Sequence, residues 1–291
     1  MAAPGRVLVT GSSGRLGRFV VEALREAGWL TTGIDLTAPA DRAADRVLID
    51  DAGDPYVLGA ALAGHDALVH LAAIPDPTRD TAFVTFEANL QLANAAVAAA
   101  QANGVKRIVL ASSQSALGLA WAPVVRSPVC LPVNEDHPCA PEEIYGASKQ
   151  ATEILFEMAA RRDGADIAAL RFPVIWDPSE FETNTRRRLD NPKQGAKSQW
   201  AYVDARDAGR SVVMALAAPV RGFRVFNIAA DDVFADEDAG ALVRQWYPDR
   251  DAANIYGRAA IFSPARAQSE LGFVNRYRWT PSGIEDRGQA I

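Results

Sequence analysis

One run near the start of the chain constrains its fold more than any other: Val7-Leu8-Val9-Thr10-Gly11-Ser12-Ser13-Gly14-Arg15-Leu16-Gly17. An apolar stretch ends in a glycine turn, and an amphipathic segment begins at Leu16. That pattern is the strand–turn–helix entry of a βαβ unit built to hold a dinucleotide. Gly11 takes the sharp turn, Gly14 lets backbone N–H groups come close to a pyrophosphate, and Gly17 lets the helix lie against the strand. The helix N-terminus, with Arg15 and Leu16 in its first turn, turns its partial positive charge toward the phosphates. The spacing is Gly-x-x-Gly-x-x-Gly rather than the commoner Gly-x-Gly-x-x-Gly.

Apolar runs alternate with helical patterns from this point on. Strands are expected at 6–10, 30–35, 47–50, 67–71, 107–111, 167–171 and 223–228, and helices at 16–27, 54–63, 81–103, 142–162 and 203–217, with short ones at 241–246 and 264–271. Alternation of this kind implies right-handed crossovers and a parallel sheet covered on both faces, an α/β Rossmann doubly wound fold. Segments 116–141 and 177–199, rich in Pro, Asn and charge, read as long loops. The 291 residues read as one domain, with 1–175 mainly holding the dinucleotide and 176–291 mainly a small C-terminal substrate-binding region.

Bulk properties narrow the function. A formal net charge of −6 and the lack of a basic stripe argue against a nucleic-acid partner. Two cysteines, Cys130 and Cys139, make no disulfide framework, and three histidines without ligand spacing give no metal site. Neither a signal peptide nor a membrane-spanning apolar stretch is apparent, so a cytoplasmic protein is expected. Only four lysines occur, at 106, 149, 193 and 197, which gives weight to any lysine inside a motif.

Asp35 ends the second strand, eighteen positions after Gly17. A carboxylate there accepts hydrogen bonds from the ribose hydroxyls of NAD and repels the 2′-phosphate of NADP. Asp51 follows the third strand and either meets the adenine amine or caps the helix that starts near Asp54. After His70, which reads as a packed core residue, Leu71, Ala72 and Ala73 are small enough for the cofactor to pass over the strand end. Asn89 aims either at the cofactor or at a backbone or water partner.

The strongest chemical signal is Tyr145-Gly146-Ala147-Ser148-Lys149. Tyr145 and Lys149, at i and i+4, share a helix face, and the ammonium is expected to lower the phenol's pKa. The strand ending Ala111-Ser112-Ser113-Gln114-Ser115 brings hydroxyls to the same edge of the sheet. A hydroxyl donor beside a phenolate base is what carbonyl–alcohol interconversion requires. In an extended segment Ser113 and Ser115 share a face and Ser112 points away, so Ser113 is the first candidate and Ser115 the second.

Taken together these pieces resemble the extended short-chain dehydrogenases/reductases, the NAD-dependent epimerase/dehydratase-like group. The resemblance rests on the glycine run, Asp35, Val69-His70-Leu71-Ala72-Ala73, Ser112-Ser113, Tyr145–Lys149, Arg171-Phe172-Pro173, Tyr202-Val203-Asp204 and Arg206-Asp207. It implies bound NAD, a Ser113/Tyr145/Lys149 catalytic set, a contact from the backbone after Pro173 to the nicotinamide amide, and a homodimer through the two long helices. Two departures stand out: Trp176-Asp177-Pro178 replaces the family's usual Tyr-Gly-Pro, and Leu117-Gly118 replaces a Tyr-Gly pair common in nucleotide-sugar enzymes. They weaken a nucleotide-sugar epimerase reading, and the Ala111-Ser112-Ser113-Gln114-Ser115 stretch with the short C-terminal region is more similar to the aldose and uronate dehydrogenases of the group.

The expected activity is oxidation of a hydroxyl of a sugar or sugar acid with hydride transfer to NAD. Ser113, Gln114, Ser115 and Tyr145 would face the substrate. Arg186 either grips a carboxylate of the sugar acid or is an ordinary surface arginine. The alternatives are a nucleotide-sugar epimerase or dehydratase with tightly held NAD, and a non-catalytic cofactor sensor on the same fold.

Overall fold

The computed structural model describes residues 5–280 and 282–288. In chain order it contains β1 (Arg6–Thr10), α1 (Arg15–Glu26), β2 (Leu30–Asp35), β3 (Arg46–Ile49), α2 (Pro55–Leu62), β4 (Ala67–His70), α3 (Ala82–Asn103), β5 (Arg107–Ser113), α4 (Ile144–Asp163) and β6 (Asp166–Phe172). The remainder holds β7 (Val174–Trp176), α5 (Phe181–Leu189), α6 (Pro192–Lys197), β8 (Tyr202–Asp204), α7 (Ala205–Ala217), β9 (Phe223–Asn227), α8 (Ala239–Trp246), α9 (Ala265–Leu271), β10 (Tyr277–Thr280) and β11 (Gly283–Asp286).

Seven strands form one parallel sheet in the order β3-β2-β1-β4-β5-β6-β9. Strand order reverses between β1 and β4, and ligands of such sheets bind at the carboxyl ends of the strands at that point. The fully buried strands supply both faces. Val7, Val9, Val69 and Val109 pack on one side with Val20 and Leu24 of α1 and Val212 and Leu216 of α7. Leu8, Leu68, Ile108 and Leu110 pack on the other with Phe156 of α4. Each such side chain, fully removed from water, stabilises the fold by about 1.5–3 kcal/mol.

Helix boundaries follow local chemistry. Asp54, Thr81 and Glu143 cap α2, α3 and α4 by accepting from backbone N–H groups of the first turn. Gly104 and Gly164 close α3 and α4 in the left-handed conformation.

Three sequence expectations change. Segment 177–199, expected as loop, contains α5 and α6. Asn191 caps α6 and Pro192 opens it, whereas α5 is largely solvent-facing and so carries little apolar periodicity to read. The stretch expected as helix from Val203 begins as strand β8, paired with β7, and the helix starts only after the Asp204 cap. The β10–β11 hairpin was not expected. It is fastened through Trp279, which packs on Trp176 at a centroid distance of 4.8 Å and donates its indole N–H to Asp204 at 2.8 Å. Regions 1–175 and 176–291 also interleave, since α7 and β9 complete the central sheet and its α1 face. No helix among the described residues is long and apolar enough to cross a membrane.

Candidate active site

The glycine turn is built as a cradle. Gly11 has φ +69°, and a Cβ there would lie 2.8 Å from the Ala72 nitrogen; a Cβ on Gly17 would lie 2.1 Å from the Gly11 carbonyl oxygen. Gly14 differs, since its added Cβ would meet only the Gly11 oxygen, at 3.3 Å, and otherwise open space. Gly14 is also the N-cap of α1, with no side-chain cap and no acidic residue in the first turn. An uncapped helix N-terminus beside a side-chain-free surface fits the pyrophosphate of a dinucleotide.

Asp35 is held by backbone donors. Its carboxylate accepts from the Ser13 N–H at 2.9 Å and the Thr37 N–H at 3.2 Å, which fixes its orientation at the end of β2 while leaving it half-exposed. Asp51 is exposed and accepts from the Gly53 N–H at 2.8 Å; the cap of α2 is Asp54, not Asp51. At the end of β4, the Thr10 hydroxyl oxygen accepts from the N–H groups of Leu71 and Ala72, both at 3.2 Å, and pairs with Nδ1 of His70 at 3.0 Å. Thus Leu71 and Ala72 can offer a cofactor a surface but not free donors, and Ala73 continues that surface, half-buried. His70 lies buried against Phe156, and burial pushes its pKa down to about 3, so it stays neutral.

Some predicted side chains are already engaged elsewhere. Asn89 accepts from the Ile74 N–H at 2.7 Å and donates to the Ile74 carbonyl and to Ser148 Oγ at 3.0 Å, which fixes the loop after β4 to α4. Its backbone alternative is therefore the one realised. Gln114 donates to the Ser198 carbonyl at 3.1 Å and to Gln199 Oε1 at 2.7 Å, joining the end of β5 to the turn after α6. Arg15 forms a two-pronged ion pair with Glu180 at 2.7 and 2.9 Å, and Arg18 of the same helix pairs with Asp177. Arg186 is exposed on α5, on a face with Glu182, Thr183, Arg187 and Asp190. The side chain of Arg188 lies outside the described residues.

Ser113, Tyr145 and Lys149 come together at the carboxyl edge, all buried. The Ser113 hydroxyl lies close enough to the Tyr145 phenol to oppose the effect of burial on it. Ser113 Oγ also lies 3.1 Å from Ser115 Oγ and accepts from the Ser115 N–H, so the chain turns back after the strand and keeps both serines at one place. Ser112 points away to Glu153, to which it donates at 2.6 Å. The α4 terminus is held tightly: Glu143 accepts from the N–H groups of Tyr145 and Gly146, and a Cβ on Gly146 would strike the Ser115 carbonyl at 2.4 Å. Pro173 is buried and follows β6, one residue after Phe172, which lies across from Ser113.

The electrostatics correct one expectation. Lys149 donates to the Ala111 carbonyl at 3.0 Å, with Nζ 5.8 Å from the centre of the Tyr145 ring. Burial pushes the Tyr145 phenol up, opposed by the Ser113 hydrogen bond and assisted by the Glu143 and Asp76 carboxylates. Desolvation therefore sets the direction, and Lys149, turned to the Ala111 carbonyl, does not produce the lowering expected from the helix spacing. Burial also pushes Lys149 down to about 8, with Glu153 acting in the opposite direction. Sequence reasoning missed Glu143, Glu153 and Asp76. Glu153 had a readable signal, being four residues beyond Lys149 on the same helix face.

Comparisons with known proteins agree with this geometry. The profile of the NAD dependent epimerase/dehydratase family matches residues 7–229. L-arabinose 1-dehydrogenase (NAD(P)(+)) of Haloferax volcanii is 28% identical over 78% of the chain and 89% of its own length. UDP-glucose 4-epimerase of Corynebacterium glutamicum is 24% identical over 97% and 92%. A short-chain dehydrogenase/reductase superfamily protein from Agrobacterium tumefaciens, solved with bound NAD, superposes with a TM-score of 0.72 at 26% identity, covering 95% of this chain and 94% of that one. With the glycine cradle, the half-exposed Asp35 and the profile match in agreement, the chain belongs to the NAD-dependent epimerase/dehydratase family, enzymes of the extended short-chain dehydrogenase/reductase type that process sugars with NAD.

Proposed function

We propose that the protein is a dehydrogenase of free sugars, an aldose or a uronate, in which Tyr145, Ser113 and Lys149 act on a substrate hydroxyl. The carrying observation is the buried Ser113–Tyr145–Lys149 group at the strand ends beside the uncapped N-terminus of α1. In this reading residues 1–175 mainly hold the cofactor and 176–291 mainly the sugar. Bound NAD supplies a hydride acceptor and a positively charged ring. Tyr145, as the phenolate that the positive charges of the bound nicotinamide ring and Lys149 would favour, takes the hydroxyl proton as the carbon gives up hydride, and Ser113 holds the oxygen in line. At an anomeric carbon the product is a lactone. In the reverse direction the raised phenol suits Tyr145 as proton donor. Lys149 orients the nicotinamide ribose, the end of β4 and the backbone after Pro173 line the cofactor, and Arg186 is the candidate partner for a uronate carboxylate.

Charge pairing favours a free sugar over a nucleotide sugar. Among the described residues, every arginine from Arg206 to Arg287 lies within ion-pair distance of a carboxylate. The arginines from Arg206 onward are thus held in pairs, whereas a diphosphate needs cations available. The second reading, epimerisation of a nucleotide sugar, is favoured by the near-complete coverage of the epimerase relative. NADH release with free sugars, set against isomer formation from nucleotide sugars, separates the two.

We also propose a homodimer through α3 and α4. Phe83 (73% exposed) and Ile154 (57% exposed) provide apolar side chains on these two adjacent helices. Light scattering of wild type and Ile154→Asp tests it: a dimer that the variant dissociates supports the assignment, and a wild-type monomer overturns it.

A further inference from the structure

One buried carboxylate joins the three elements that carry the chemistry. Glu153 Oε1 accepts from Ser112 Oγ at 2.6 Å and from Arg171 Nε at 2.8 Å, and Oε2 accepts from Arg171 Nη2 at 2.7 Å. Ser112, Glu153 and Arg171 are 4%, 6% and 4% exposed. Ser112 adjoins Ser113 at the end of β5, and Arg171 lies directly across from it on β6, two residues before Pro173. Glu153 lies on α4 one turn beyond Lys149 and two beyond Tyr145. The helix with the proposed base, the strand end with the proposed hydroxyl donor and the strand leading to the nicotinamide side therefore meet at one side chain.

We propose that Glu153 is a positioning residue: through Ser112 and Arg171 it fixes Ser113 relative to the Tyr145–Lys149 face, and its charge keeps Lys149 protonated. This rests on the dehydrogenase reading for its catalytic consequence, but the effect on Lys149 does not depend on any substrate.

The physical case has two parts. A planar guanidinium bound side-on to a carboxylate leaves little angular freedom, so the ion pair holds α4 and β6 in register, and the Ser112 hydroxyl adds β5 to the same acceptor. A loosened strand end would displace Ser113 from the line it shares with the phenol, and small displacements of a positioning group reduce turnover steeply. The second part is electrostatic. Lys149 is surrounded by Tyr145 and Glu153 on its own helix, neutral His70 at the end of β4 and the Ala111 carbonyl of β5, while Arg171 of β6 binds Glu153. Glu153 is thus the anion that opposes burial of the ammonium.

The test is direct because the chain has only four lysines. Carbon-13 NMR titration of the lysine ε-methylenes in the intact protein follows Lys149, assigned by its disappearance in Lys149→Arg. The paired variant Glu153→Gln/Arg171→Gln removes the carboxylate without stranding a buried charge. It should titrate Lys149 at least half a pH unit below wild type, and an unmoved Lys149 in the folded variant overturns the proposal. Ser112→Ala keeps the ion pair and guards against misfolding of the double variant. It should lower kcat for NADH formation from free sugars about tenfold while KM and the Kd for NAD stay within twofold. Wild-type kcat, or a loss confined to thermal stability, overturns the positioning role. If instead Tyr145→Phe retains full turnover, the dehydrogenase mechanism fails while the titration result stands.

Discussion

The glycines of the first turn do different work, and substitution by alanine separates it. An alanine at Gly17 places Cβ 2.1 Å from the Gly11 oxygen and 2.7 Å from the Ser12 carbonyl carbon, more than about 1 Å inside van der Waals contact. Both neighbours are backbone, so the start of α1 must move off the turn. Overpacking of this kind destabilises by about 1–3 kcal/mol, and the helix propensity of alanine returns at most about 1 kcal/mol. Gly17→Ala should therefore lose stability in urea titration and bind NAD at least about tenfold more weakly, since the displaced N–H groups are those that would face a pyrophosphate at this helix N-terminus. Gly14→Ala should behave differently. Its φ of −71° suits alanine, and the new Cβ meets only the Gly11 oxygen at 3.3 Å, so stability should change by no more than about 0.5 kcal/mol. The same methyl projects into the open side of the cradle and should weaken NAD by about tenfold or more, equivalent to about 1.4 kcal/mol. NADH fluorescence titration alongside urea unfolding reads both quantities. Wild-type NAD affinity in a folded Gly14→Ala would refute the placement of the pyrophosphate, and wild-type stability of Gly17→Ala would refute the steric argument.

Further expectations follow from the same geometry. Tyr145→Phe should reduce turnover by about a thousandfold, within the range of general acid–base contributions, with NAD affinity nearly unchanged; steady-state rates with NAD titration check it. Asp35→Ala should weaken NAD by about 1.5–3 kcal/mol and narrow the preference over NADP, and equal losses for both cofactors would contradict the role of Asp35. Asp207 is buried and pushed up to about 6, chiefly by desolvation. Because its folded pKa lies above the unfolded value, its contribution to stability is full below pH of about 4 and is lost as pH rises through about 6. Wild type should therefore lose stability relative to Asp207→Asn across that window, and parallel pH curves would contradict the shift.

Much of the fold was legible because its determinants are local. Alternating apolar runs and the glycine turn lie within a few residues of the elements they define. Helix spacing and strand direction placed Ser113 and Tyr145 at one edge of the sheet, where both lie buried. The elements that escaped notice depend on distant partners. Strand β8 exists because it pairs with β7, and the β10–β11 hairpin is anchored by Trp279 reaching Asp204 across the chain. Burial caused the other difference: spacing places an ammonium near the phenol, but in the packed structure Lys149 turns to the Ala111 carbonyl and desolvation raises the phenol. The engagement of Gln114 with Gln199 and of Asn89 with Ile74 likewise arises from tertiary contacts no local motif encodes.

The most direct test of the central claim follows the absorbance of NADH as purified protein and NAD are offered free aldoses, uronic acids and nucleotide sugars, with Tyr145→Phe in parallel. A dehydrogenase of free sugars should give NADH in stoichiometric yield from one free sugar class, lost in the variant. No NADH from any free sugar, together with Tyr145-dependent isomerisation of a nucleotide sugar without net redox change, would contradict it.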